Sequence, residues 1–170
     1  MYRIFKERMI KGIVTCRIEP DLRQKIESSG NELKALIQQK FGRSLHIREV
    51  DTGSCGACES EIIAANNPLY DLQRFGINFV ASPRHADALL VTGPVSKNMV
   101  LALKKTYEAV GEPKFVISCG DCACGGDIFV SSYYVEGGVD KILPVALHIP
   151  GCPPSPMAII NALLVFLREK

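Results

Sequence analysis

The sequence predicts one α/β domain built on a mainly parallel sheet. Two observations carry this. Short continuous apolar runs, Ala88-Leu89-Leu90-Val91 and Phe115-Val116-Ile117, read as strands buried on both faces. They alternate with stretches of helical periodicity, the pattern of strand-helix-strand units. At 170 residues the chain is long enough for one full core and short for two.

Taken in order, Met1 to Arg17 sets Arg3, Lys6, Arg8, Lys11 and Arg17 against a single acid, Glu7, with apolar residues interleaved. This is an extended arm or edge strand with a solvated basic face, or a docking arm for a partner subunit or anionic surface. Cys16, alone among apolar neighbours, reads as a packed small hydrophobe. Pro20 to Phe41 is helical, with Leu22, Ile26, Leu33, Leu36 and Ile37 on one side. Ser28-Ser29-Gly30 is expected to break it and Asn31 to cap the second piece. We therefore divide the chain into a basic arm and helical extension over 1–44 and a main domain over 45–170.

Within that domain a strand over about Leu45–Val50 enters the turn Thr52-Gly53-Ser54-Cys55-Gly56-Ala57-Cys58, followed by a helix to about Asn66. Phe79-Val80-Ala81 reads as a strand, then Ala88–Val91, then a helix from about Lys97 to Val110. Phe115–Ile117 runs straight into Cys119-Gly120-Asp121-Cys122-Ala123-Cys124. A last strand spans about Leu143–Ile149, ahead of Pro150-Gly151-Cys152-Pro153-Pro154 and a helix over about Pro156–Arg168.

The bulk properties exclude several classes. A formal net charge of +2 and no recognition motif give no nucleic-acid partner. No run of about 18 apolar residues is present to span a bilayer, and the start carries no signal-peptide pattern, so the expected address is cytoplasmic. Seven cysteines without an export signal point to metal or redox chemistry rather than a disulfide framework. With only three histidines, a metal site would be thiolate-rich.

Three cysteine-bearing loops each follow an expected strand: Cys55/Cys58, Cys119/Cys122/Cys124 and Cys152. Ligands of open α/β sheets collect outside the carboxyl ends of the strands, so these loops should converge. Four thiolates suit an iron–sulfur cluster or structural zinc. Paired zinc knuckles are usually about 15–20 residues apart; Cys58 and Cys119 are much further apart, and Cys152 has no second cysteine beside it. A redox dithiol at Cys55/Cys58 is a further reading, one that leaves the other two loops without a role. Glu59 and Glu61 follow the cysteine pair, where the helix dipole alone favours carboxylates and a proton-coupled role is the alternative. His148 is expected in the core, and Arg84 and His85 at the surface or facing a subunit.

Thr52-Gly53-Ser54-Cys55-Gly56-Ala57-Cys58-Glu59, the segment Ser82-Pro83-Arg84-His85-Ala86-Asp87 with Ala88 to Pro94, and Pro150-Gly151-Cys152-Pro153-Pro154 together resemble one superfamily. It holds the small subunits of [NiFe] hydrogenases and the 20 kDa subunit of respiratory complex I. The resemblance runs from about Leu45 to the C-terminus. It is strongest to the membrane-bound energy-converting (group 4) hydrogenase small subunit, because the complex I subunit carries adjacent cysteines where this chain has CxxC. The resemblance implies a flavodoxin-like domain, with helices on both faces of the sheet, holding a single proximal [4Fe–4S] cluster on Cys55, Cys58, Cys122 and Cys152. Cys122 is chosen in its loop because Gly120-Asp121-Cys122-Ala123 fits the family's Gly-x-Cys-Ala pattern; Cys119 and Cys124 depart from that pattern. It further implies a peripheral subunit on the cytoplasmic side of the membrane, itself without catalytic residues. That subunit relays electrons between a ferredoxin-like iron–sulfur subunit and a large [NiFe] catalytic subunit, beside a membrane arm. The alternative it allows is the equivalent subunit of a quinone- or sulfur-reducing complex lacking nickel.

Overall fold

The computed structural model describes residues 20–169, with Lys6, Met9, Ile10 and Gly12 ahead of them. Apart from those four positions, the basic N-terminal segment, Cys16 included, lies outside the described residues. The chain forms α1 (Pro20–Phe41), β1 (Leu45–Asp51), α2 (Ala57–Ala65), β2 (Ile77–Phe79), β3 (Ala88–Thr92) and α3 (Val100–Ala109). Then come β4 (Phe115–Cys119), the short α4 (Asp121–Gly125), β5 (Leu147–Ile149) and α5 (Pro156–Glu169). The five strands form one all-parallel sheet in the order β2-β1-β3-β4-β5. This is the flavodoxin-like order, with its switch point between β1 and β3.

The apolar runs are continuous because both sheet faces are covered. Along β3, Ala88 and Leu90 face one layer while Leu89 and Val91 face the other, the period-two alternation of a strand. The first layer joins Leu33 and Ile37 of α1, Ile62 of α2 and Ile160 and Leu163 of α5. The second holds Leu103 of α3, Ala123 of α4, Val139 and Leu143. Leu90 and Ile117, each wholly buried at the centre, contribute about 1.5–3 kcal/mol apiece by the usual transfer scale.

Four elements differ from the sequence expectation. α1 is a single helix with no break at Gly30. A Cβ on Gly30 would lie 2.2–2.5 Å from ring carbons of Phe75, so the glycine admits an aromatic ring against the helix rather than interrupting it. β2 spans Ile77–Phe79, two residues earlier than expected, because Ile77 is the buried partner of Leu45; Val80 continues the ladder by donating to the Ile47 carbonyl at 2.9 Å. α3 starts at Val100, since Val95 and Lys97 donate instead to Gly137 and Tyr134 carbonyls. β5 is reduced to Leu147–Ile149: Leu143 packs into the second layer, and Pro144 has no N–H to offer a ladder.

Candidate iron–sulfur site

The carboxyl ends of the strands carry the buried polar residues Thr52, Thr92 and Ser118 and open into the cysteine loops. The first loop is folded by its own side chains. Asp51 Oδ1 accepts the N–H groups of Gly53 and Ser54, each at 2.7 Å, and Ser54 Oγ accepts that of Gly56 at 3.0 Å. The buried Thr52 hydroxyl donates to the Thr92 carbonyl at 2.8 Å, tying this loop to β3. Such local side-chain bonds give the turn its shape where no ladder exists. Cys55 is left exposed in the turn and Cys58 half-buried in the first turn of α2.

The second loop leaves β4 through Gly120, at φ +95°. A Cβ there would lie 2.6 Å from Cys58 Sγ, so the glycine is where the first loop's sulfur rests on the second. α4 then presents Cys122. The third loop is fastened to the second at both polar groups of Gly151: its carbonyl accepts the Asp121 N–H at 2.9 Å and its N–H donates to Asp121 Oδ1 at 2.7 Å.

The result is one cavity of about 160 Å³ lined by Cys55, Cys58, Cys122 and Cys152, with Gly53 and Phe129 also on its wall. The three cysteine loops therefore converge as their positions after strands required. The other two cysteines of those loops are elsewhere. Cys119 is fully buried in the first core layer. Cys124 is turned toward the ends of β4 and β5, its Sγ 3.9 Å from the Ser118 carbonyl and 3.8 Å from that of Ile149. Among the described residues, no three His, Cys, Asp or Glu side chains close around a single ion position.

The thiols sense one another. Burial foremost, then Glu59, Cys122, Cys55 and Cys152, push the Cys58 thiol up to about 12. Burial foremost, then Asp127, Cys152, Cys55 and Asp121, also raise Cys122. In the partly dry cleft the thiolate forms of Cys58 and Cys122 are disfavoured; a bound cationic iron core would reverse this logic.

Sequence reading missed three features here. Asp51 and Asp121 organise the loops, a role signalled by an Asx residue ahead of a glycine turn in one case and by nothing local in the other. Glu59 faces inward rather than merely lying at the helix start: Thr92 Oγ1 donates to its Oε1, and its Oε2 is buried without a hydrogen-bond partner. Glu49, raised chiefly by burial and then by Glu59, lies close by. His148 is exposed instead of in the core, its Nδ1 2.7 Å from Ser118 Oγ. Arg84 and His85 are exposed at the opposite end of the sheet.

The fold is thus a flavodoxin-like parallel sheet with thiols of three loops gathered at its carboxyl edge. The family model for the NADH ubiquinone oxidoreductase 20 kDa subunit matches residues 55–166, and the chain belongs to that family, a component of oxidoreductase complexes. It is 46% identical over 129 residues to a probable membrane-bound hydrogenase subunit, mbhJ, of Pyrococcus furiosus, covering 76% of this chain and 77% of that one. It is likewise 46% identical to formate hydrogenlyase subunit 7 of Escherichia coli, over 78% of this chain and 52% of the relative. With an NADH-quinone oxidoreductase subunit of Clostridium beijerinckii it shares 47% identity over 70% of each chain. Among solved structures, a chain of the membrane-bound sulfane sulfur reductase, an archaeal respiratory membrane complex, superposes with TM-score 0.68 at 32% identity. That match covers 79% of this chain and 74% of the other.

Proposed function

We propose that this chain is the electron-relay subunit of a membrane-bound [NiFe] hydrogenase, carrying one [4Fe–4S] cluster on Cys55, Cys58, Cys122 and Cys152. The observation that carries the reading is the single cavity lined by those four thiols and no imidazole. The donor set fits: four sulfurs suit an iron–sulfur cluster, and Cys152, with no second cysteine beside it, departs from the paired knuckles of zinc sites. Gly120 serves the same arrangement, since a Cβ there would lie 2.6 Å from the Cys58 sulfur and displace it. Such a cluster supplies one-electron storage and transfer. The protein's part is to hold the sulfurs on loops braced by Asp51, Thr52 and Asp121 and to set the polarity around them.

Electrons would pass between a ferredoxin-like iron–sulfur subunit and a large catalytic subunit that holds nickel and iron. Two relatives are named as subunits of a membrane-bound hydrogenase and of formate hydrogenlyase, which supports a place in a multi-subunit complex of that kind. No helix of the described residues is long and apolar enough to cross a membrane; in this reading the chain is a peripheral subunit on the cytoplasmic side, beside membrane-arm subunits. The second reading, a nickel-free quinone- or sulfur-reducing complex, draws on the NADH-quinone oxidoreductase relative and on the sulfane sulfur reductase chain. The test is nickel content of the complex isolated anaerobically through a tag on this chain. About one nickel per copy supports the hydrogenase; iron without nickel moves the function to the second reading.

A further inference from the structure

We propose that Asp121 is a positioning residue for the cluster, locking the Cys122 and Cys152 loops together and lowering the reduction potential with its charge. The inference rests on the cluster reading above and adds a residue to it. Three observations carry it. Asp121 joins two loops that are 30 residues apart and makes both bonds of the pair, accepting from Gly151 N–H at 2.7 Å and donating its own N–H to the Gly151 carbonyl at 2.9 Å. The residues held by this clamp are the immediate neighbours of Cys122 and Cys152. Asp121 also lines the same cavity as the four thiols.

Gly151 cannot hold the loop by itself. It sits at φ +136°, where a Cβ would meet the Pro154 Cα at 2.7 Å, so it is confined to glycine and brings only its backbone to the contact. Pro153 and Pro154 have no N–H to donate. The Asp121 carboxylate is thus the side-chain anchor of the third loop. An aspartate in this place has a second consequence that a neutral acceptor lacks. A cluster on four thiolates gains negative charge on reduction, and a fixed carboxylate beside it opposes that gain, which lowers the potential.

The two effects separate with two variants, measured on the intact complex isolated anaerobically through a tag on this chain. The cluster's electron paramagnetic resonance signal is first assigned as the one that Cys152→Ser abolishes; if no signal depends on Cys152, the cluster reading itself fails, not this inference. Asp121→Asn keeps an acceptor for Gly151 N–H and removes the charge, so the signal should persist with its midpoint potential moved upward. Asp121→Ala removes the acceptor, so the signal should broaden or be lost with part of the iron. An unchanged midpoint in Asp121→Asn, an unchanged sharp signal in Asp121→Ala, or loss of the signal in both variants would overturn the assignment.

Discussion

At the scale of single residues, the site depends on positions with no chemistry of their own. Gly120 combines a positive φ with contact against the Cys58 sulfur. Gly120→Ala should therefore destabilise the domain by about 1–3 kcal/mol from backbone strain alone and lower its iron content, seen in thermal unfolding together with iron analysis. The cysteines divide sharply. Cys122→Ser should lose the cluster signal, whereas Cys124→Ser, whose sulfur faces the Ser118 and Ile149 carbonyls, should keep it. The thiol shifts give a pH dependence for the metal-free chain. Unfolded, Cys58 would release its proton near its ordinary 9.0, but in the fold it holds it to about 12. Above about pH 9 the native state thus binds more protons than the unfolded one, and stability falls as pH rises through this window. Melting temperature measured from pH 8 to 11 should drop, and the slope should be shallower in Cys58→Ser.

At the scale of elements, the helices and the buried strands were legible because their signals are local. The runs at Ala88 and Phe115 are apolar on both faces, and α5 carries its apolar stripe from Ile159 to Leu167. What was illegible depended on distant partners. Nothing near Gly30 reveals that Phe75, far along the chain, packs into it, so a packing glycine read as a helix break. The late start of α3 likewise comes from loop residues Tyr134 and Gly137, which claim the N–H groups of Lys97 and Val95. Gly30 offers a direct check. Alanine is the better helix former by about 1 kcal/mol, yet its methyl group would overlap the Phe75 ring, and overpacking costs about 1–3 kcal/mol. Gly30→Ala should therefore destabilise in chemical denaturation, while Ser28→Ala, on the exposed side of the same helix, should stay within about 0.5 kcal/mol of the parent.

At the scale of the whole molecule, the parallel sheet makes the site. Its order places the ends of β1, β4 and β5 on one edge, so thiols separated by up to 97 positions, from Cys55 to Cys152, line one cavity. That convergence could be foreseen from strand-then-cysteine spacing alone. The Asp121 brace could not, because its partner Gly151 is set by tertiary contact rather than by a motif. The two-layer core buries both faces of the sheet and leaves the cysteine edge as the place where Cys55 and Cys152 remain exposed, at the surface an electron partner would need to approach. The most direct test of the central claim compares the intact complex with its Cys152→Ser and Cys124→Ser variants, all isolated anaerobically, by iron analysis and electron paramagnetic resonance. Cys152→Ser should remove or convert one cluster signal while the complex's other signals remain, and Cys124→Ser should match the parent. An unchanged spectrum and full iron in Cys152→Ser would contradict that claim.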